Sequence, residues 1–326
     1  CGIFLGVAQA CFSVPILTAA NSWFRTRLGV GVGLMQAAHG LGPAVMAILL
    51  SALIAALTWQ TAFWLIGVVA SAVMAGLMVF FRNAPSDVGL RPYGASLTDP
   101  VGKSLDVAAE KLRAKAYLMS MQGTNAFRQL VGVHFLGCVG HAVVMVHVVF
   151  YATTRGMSLE GAALIVSIYS LSSIASRFMT PVLAEQFGSR GVMTLAYFLQ
   201  GITVALLFWT QEAWQFYLFA VLFGIGFGGE MSAFLVINRQ YFGMGPVRTI
   251  FGFQSMGAGL GMAVGGLFGS IIYDTFGSYD VAWLFSIAAS LGGVVCILLL
   301  EPTSRVLIPD WEESLPPEAR AAASTR

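Results

Sequence analysis

Nine long apolar segments constrain the fold of this 326-residue chain more than any other feature. They occupy residues 1–20, 28–55, 61–81, 127–153, 158–181, 191–209, 213–237, 250–273 and 280–300. A helix needs about 20 apolar residues to cross the hydrocarbon core of a bilayer. Hydrophobic residues make up 57% of the chain and charged residues only 10%, whereas a soluble domain carries about 25% charged residues. The sequence therefore predicts an all-α membrane protein.

Along the chain, connections rich in basic residues alternate strictly with connections that have almost none. Every second connection is basic, and the basic positions are Arg25, Arg27, Arg190, Arg239, Arg248, Arg305, Arg320 and Arg326, together with those in the polar stretch 82–122. In the opposite connections, the only basic residue is Arg155. Because Lys and Arg accumulate on the cytoplasmic side, we expect a multi-pass protein of the plasma (inner) membrane with its C-terminus in the cytoplasm.

Two formally charged side chains, Arg177 and Glu230, fall well within the apolar segments. A charge at bilayer depth costs about 2.5–3.5 kcal/mol on insertion scales and is retained mainly in ion pathways and substrate sites. Arg177 could instead snorkel to the interface along its aliphatic stem. Its guanidinium fork also suits bidentate binding of a carboxylate. Glu230 could alternate between a protonated form and a form paired with Arg177, or the two could form a fixed structural pair.

All four histidines, which are His39, His134, His141 and His147, lie in apolar segments. His147 and Tyr151 form an i, i+4 pair. Histidine titrates near physiological pH and can relay protons, although a buried neutral histidine bonded to a backbone carbonyl is the commoner arrangement. We predict His141 and Glu230 as proton-coupling residues.

One long polar stretch, residues 83–122, divides the apolar segments unequally, with three before it and six after. Membrane carriers are commonly built from two homologous halves joined by such a linker. The predicted organisation is 1–82 for three spans of an N-terminal bundle, 83–122 for a cytoplasmic linker, 123–302 for a six-helix C-terminal bundle and 303–326 for a cytoplasmic tail. Three preceding spans are expected to be missing. The linker could hold an amphipathic helix at the inner membrane face or be simply solvated.

Other functional classes find little support in the sequence. The four cysteines show no C-x-x-C spacing, which argues against a disulfide framework or a zinc site. We find neither a cluster of metal ligands nor a nucleophile–base pair, so we expect no enzyme activity, cofactor or metal. A net charge of +2 does not indicate nucleic acid as a partner. A receptor would need a signalling module, and the tail after Glu301 is too short for one. The expected partners are the lipid bilayer and a small molecule, and the oligomeric state is not indicated.

Five short stretches together resemble the major facilitator superfamily, and within it the branch of monocarboxylate transporters and oxalate/formate antiporters. They are Trp23-Phe24-x-x-Arg27-x-Gly29, Val88-Gly89-Leu90-Arg91-Pro92-Tyr93-Gly94, Val146-His147-x-x-x-Tyr151, Leu183-Ala184-Glu185-Gln186-Phe187-Gly188-Ser189-Arg190, and Tyr241-Phe242-Gly243 with Ile250-Phe251-Gly252. The resemblance covers essentially the whole chain. It implies a major facilitator fold, with the nine segments being nine of an expected twelve transmembrane helices in two bundles.

The resemblance also implies roles for particular residues. Arg177 falls where such carriers have an anion-binding arginine, and Gln254 falls in the region where oxalate antiporters carry a lysine. Because the pattern around His147 and Tyr151 repeats that of the family, the resemblance also favours these two residues as substrate-binding. Ser173 stands where proton-coupled carriers have an aspartate. Glu185, Gly188 and Arg190 belong to the superfamily's short gating loop, in which Glu185 and Gln186 replace the usual Asp and Arg.

These implications favour a secondary active transporter that moves a small organic anion by alternating access. A monocarboxylate with proton coupling is favoured over a dicarboxylate, because the second cation is absent at Gln254. The direction of exchange stays open between symport and antiport. A drug or metabolite exporter of the same superfamily, or a membrane receptor, is the alternative.

Overall fold

The computed structural model describes residues 2–96, 106–246 and 248–320. Its helices are α1 (Gly2–Trp23), α2 (Leu28–Ala56), α3 (Trp59–Met78), α4 (Val107–Gln122), α5 (Asn125–Thr154), α6 (Leu159–Phe187), α7 (Ser189–Val204), α8 (Ala213–Glu230), α9 (Phe234–Phe242), α10 (Arg248–Phe276) and α11 (Asp280–Leu298). Each of the nine predicted apolar segments is mostly helical over its described residues, but residues 79–81, 231–233 and 299–300 lie outside the helices.

Seven stretches of the described chain are helical, long and apolar enough to cross a membrane. One combines α7 with a following 3-10 turn, and another combines α8 with α9. The predicted all-helical membrane architecture is therefore confirmed, and the protein is a multi-pass membrane protein. The exact total of nine spans stays a prediction.

Glycines set how closely the helices approach one another. In α2, Gly33 faces the backbone of α6, and a Cβ atom at this position would lie 2.5 Å from the carbonyl oxygen of Phe178. Gly261 of α10 faces the carbonyl of Phe135 in α5 in the same manner. Because lipid tails supply no hydrophobic drive between helices, small residues that allow backbone contact become the main source of attraction.

The two ends of the bundle differ in what covers them. We call the end that carries residues 24–27, the linker and residues 301–320 the linker side. There the backbone of Tyr93 bonds to Trp23 and Arg25, at N–O distances of 2.8 and 2.9 Å. The rings of Phe24 and Tyr93 lie 5.9 Å apart. Two of the stretches that carry the family resemblance are thus in direct contact.

The linker contains a helix that packs against the C-terminal segment. The ring of Tyr117, in α4, meets Trp311 edge-on at 4.9 Å, and the Arg113 guanidinium lies over the same indole. Arg113 also forms an ion pair with Glu312 at 2.5 Å. Burial raises the pKa of Tyr117 well above its usual value, so this phenol stays neutral. The linker therefore contains a helix, and its placement at the inner membrane face stays a prediction.

We predict that Gly33→Ala destabilises the protein whereas Gly42→Ala does not. The added methyl at Gly33 meets the Phe178 carbonyl, and overpacking of this kind typically costs about 1–3 kcal/mol. A Cβ at Gly42 meets nothing within 4 Å, and alanine favours the helix by about 1 kcal/mol over glycine. The measurement is the melting temperature of each variant in detergent. Equal melting temperatures would contradict the proposed α2–α6 contact.

Candidate functional site

Arg177 points between helices rather than toward the bilayer interface. Its side chain is only 5% exposed and packs against Gly40 of α2, with its guanidinium carbon 4.9 Å from the ring centre of Phe227 in α8. The Nε group donates a hydrogen bond to the hydroxyl of Ser173 at 3.2 Å. No ion pair joins Arg177 to a carboxylate among the described residues. The terminal nitrogens of the fork therefore carry charge without a protein acceptor in the part of the chain that the structure describes.

Glu230 pairs with a histidine instead of with Arg177. Its Oε2 atom lies 2.8 Å from Nδ1 of His141, and the two side chains are 0% and 1% exposed. The second oxygen, Oε1, is buried and has no hydrogen-bond partner among the described residues. Gly137 lies against this oxygen, and any side chain there would collide with it. The two predicted proton-coupling residues are thus in direct contact with each other.

The ring of Phe227 contacts both the Arg177 guanidinium and the His141 ring. Its face lies under the Arg177 guanidinium, and the His141 ring meets it edge-on at a centroid distance of 5.0 Å. Phe227 and Glu230 lie on the same helix, three residues apart. The site therefore brings together, around one aromatic ring, a cation without an acceptor among the described residues and a hydrogen-bonded acid–imidazole pair.

Helix α8 ends at Glu230, and α9 starts only at Phe234. Such an interruption inside a span leaves backbone carbonyls without helical partners. One of them, the carbonyl of Met231, accepts a hydrogen bond from the Gln36 amide of α2 at 3.3 Å. Carriers often place their binding sites at interrupted helices. In this sequence, Gly228-Gly229 directly before Glu230 is the signal for the interruption between α8 and α9.

Polar side chains of α7 bond to α5 and α11 near the acid–imidazole pair. The Gln200 amide donates to the Gly137 carbonyl and to Ser290, both at 3.1 Å. The Tyr197 hydroxyl donates to the Val133 carbonyl at 3.2 Å. These contacts fix α5 against α7 and α11 around the pair. Periodicity alone could not have found them, because the residues come from three separate helices.

His134 has a different environment from His141, although the two share one helix. Its ring stacks on Phe234 at 4.1 Å, and neither nitrogen has a hydrogen-bond partner among the described residues. It lies about two turns from His141 along α5.

His147 and Tyr151 lie in an aromatic cluster toward the side opposite the linker. The Nε2 atom of His147 is 3.1 Å from the Gly266 carbonyl and must donate, since a carbonyl only accepts. The Tyr151 hydroxyl donates to the Leu207 carbonyl at 2.8 Å. The structure places neither side chain in contact with Arg177, and their role in substrate binding stays a prediction.

Gln254 is paired with another amide. Its Oε1 accepts from Asn238 at 2.8 Å, and its Nε2 donates to the same side chain at 2.9 Å. Both residues are fully buried. The structure shows no contact between Gln254 and Arg177, so a part for Gln254 in substrate binding also stays a prediction.

The predicted gating loop contacts the start of α2 on the linker side. The Glu185 carboxylate accepts hydrogen bonds from the backbone amides of Leu28 and Gly29, at 3.0 and 2.7 Å. These amides form the N-terminus of α2, where a negative charge is favoured. Gly188 takes a positive φ of 92°, and the Arg190 guanidinium donates to the Leu298 carbonyl. The replacement of Asp by Glu at position 185 therefore preserves an acid that caps a helix.

A sequence profile of the Major Facilitator Superfamily matches residues 1–179 and 130–324. The chain belongs to the major facilitator superfamily. The expected family is confirmed, and the proteins of this superfamily that it resembles are transporters rather than enzymes.

Three relatives show the range of the match. MFS-type transporter hasB of Aspergillus fumigatus is 26% identical over 242 residues, which are 71% of this chain and 50% of that protein. MFS-type transporter pynF of Aspergillus niger is 25% identical over 280 residues, 86% of this chain and 59% of the relative. Monocarboxylate transporter 11 of Homo sapiens is 24% identical over 304 residues, 90% of this chain and 60% of the relative. The chain therefore spans 50–60% of the length of these major facilitator relatives.

Within this major facilitator chain, Cys138, His141 and Glu230 each place one possible metal ligand atom within 4.8 Å of the others. However, His141 and Glu230 already form a hydrogen bond with each other. Two of the three possible ligands are therefore already bonded to each other.

Proposed function

We propose that this protein is part of a secondary active carrier that moves a small organic monocarboxylate together with a proton by alternating access. The observation that carries the proposal is the Arg177 guanidinium. It is buried between α2, α6 and α8, and its terminal nitrogens have no acceptor within the described chain. A planar fork of free donors at membrane depth suits a carboxylate, which accepts two parallel hydrogen bonds.

The carboxylate class also has support from the relatives. One of them is named a monocarboxylate transporter. The names of the fungal relatives given above specify no substrate. Because Gln254 is neutral and bonded to Asn238, it offers no second fixed positive charge, which favours an anion with a single carboxylate.

Charge balance links the anion to a proton. Burying net charge in a low-dielectric interior costs several kcal/mol per ion, so the site is most stable when it is neutral. In the empty site, a Glu230 carboxylate beside a neutral His141 balances the Arg177 cation. When a carboxylate binds to Arg177, this balance is restored only if the Glu230–His141 pair takes up one proton. Anion and proton then bind together and cross the membrane without net charge.

We also propose that the linker side faces the cytoplasm of a cell whose plasma membrane holds the protein, because the basic connections lie on that side. A cysteine at Ser278 is expected to react with an impermeant external reagent, whereas one at Ser304 reacts only after permeabilisation. External labelling of Ser304→Cys in intact cells would reverse the orientation.

We predict that Arg177→Lys weakens substrate binding roughly ten- to a hundredfold, because the loss of charge-assisted bidentate hydrogen bonds is worth about 1.5–3 kcal/mol. The measurement is binding of labelled lactate, pyruvate and butyrate to the carrier expressed from its complete gene. Uncharged drugs in the same panel test the exporter alternative.

Arg128→Lys serves as the matched control, because Arg128 is exposed near the start of α5. It is expected to bind the panel as the wild type does. Unchanged affinity of a folded Arg177→Lys variant would remove Arg177 from the substrate site and with it the main support for a carboxylate.

We predict that Glu230→Gln abolishes accumulation driven by a pH gradient but leaves exchange of substrate for substrate. The amide can hold the hydrogen bond to His141 but cannot cycle between a charged and a neutral form. Both activities can be measured in the same proteoliposomes. Glu160→Gln, at the exposed start of α6, is the control and is expected to retain both. Gradient-driven accumulation by Glu230→Gln equal to that of the wild type would show that the proton binds elsewhere.

A further inference from the structure

We propose that Phe227 is a positioning residue whose ring prevents an ion pair between Arg177 and Glu230, and so keeps the guanidinium available for the substrate. The inference rests on the proposed function of Arg177 as the anion site. It adds that substrate binding depends on a barrier between the two opposite charges as well as on the charges themselves.

The geometry of the ring supports a barrier. The face of Phe227 lies under the Arg177 guanidinium at 4.9 Å, and the Phe227 and His141 rings meet in a T-shaped contact at 5.0 Å. Two more rings hold it in place. Phe223 stacks on it almost in parallel, at 6.0 Å and 2°, and Tyr169 meets it edge-on at 5.9 Å. The ring is 7% exposed, so packing confines it between the two centres.

Without the ring, Arg177 and Glu230 would pair with each other instead of with the ligands that each binds in the intact site. A buried guanidinium and a buried carboxylate attract each other strongly at low dielectric, and a bidentate pair would occupy the same fork that a substrate needs. The other titratable groups near the two centres are Cys138 of α5 and Tyr197 of α7 beside Glu230, and His39 of α2 beside Arg177. None of them carries a fixed negative charge that could replace Glu230 as the partner of Arg177.

Helix α8 itself provides a control for simple packing. Phe223 lies one turn earlier, in the same stack, and also meets Tyr169 edge-on at 5.9 Å. Its ring is fully buried and is not in ring contact with Arg177 or His141 among the described residues. A substitution at Phe223 therefore removes comparable aromatic packing without opening a path between the charges.

The test measures binding of labelled lactate, or of the panel monocarboxylate that the wild type binds most tightly, to the complete carrier. Phe227→Ala is expected to weaken binding roughly tenfold or more, since Glu230 then competes for the fork. The double variant Phe227→Ala with Glu230→Gln is expected to restore binding close to that of Glu230→Gln alone. Phe223→Ala is expected to bind as the wild type does. If Phe227→Ala does not fold, Phe227→Val replaces it in both the single and the double variant.

Rescue by Glu230→Gln is the decisive result, because a defect in packing at position 227 would not be repaired by neutralising the acid at position 230. Weak binding by both the single and the double variant would overturn the inference, as would wild-type affinity of the single variant. Failure of the proposed function has a different signature. In that case Arg177→Lys alone leaves binding unchanged, whatever the Phe227 variants do.

Discussion

The hydrogen bond between Glu230 and His141 is the interaction on which the rest of the site depends. A fully buried carboxylate is expected to pair with a nearby cation, and the Arg177 guanidinium lies over Phe227, three residues before Glu230 in the chain. The bond to His141, at 2.8 Å, gives Glu230 a partner that can itself gain or lose a proton. Arg177 consequently keeps its terminal donors free. A fixed pair of Arg177 and Glu230 would join two helices but could bind neither an anion nor a proton.

Helix packing brings these residues to the same place. Gly40 lets α2 approach close enough for Arg177 to lie against it, and Gly137 leaves room for the Glu230 carboxylate beside α5. The end of α8 at Glu230 then allows α9 to continue in a separate segment. Because each contact is between a backbone and a side chain, even one added methyl group at these glycines is expected to disturb the site. The same small residues that hold the bundle together in lipid therefore also shape the site.

Much of this could be predicted from the sequence, for identifiable reasons. Long apolar segments have few alternatives in a membrane, so most helix ends lie within three residues of the predicted segments. Helix α6 nevertheless continues six residues further, and the break between α8 and α9 lies inside a predicted segment. Arg177, Glu230 and His141 stood out because ionisable groups are rare at that depth. The pairing of Glu230 with His141 rather than with Arg177 could not be predicted, because the depths of Arg177 and Glu230 are similar and sequence gives no rotation between helices. Phe227 carried no signal at all among the many apolar residues of its span.

The most direct test of the account is an experimental structure of the complete carrier with a bound monocarboxylate, at a resolution that shows side chains. The account predicts the ligand carboxylate on the Arg177 guanidinium, with the Phe227 ring between it and a Glu230 that remains bonded to His141. A structure in which Arg177 and Glu230 form an ion pair, with the ligand bound elsewhere, would contradict it.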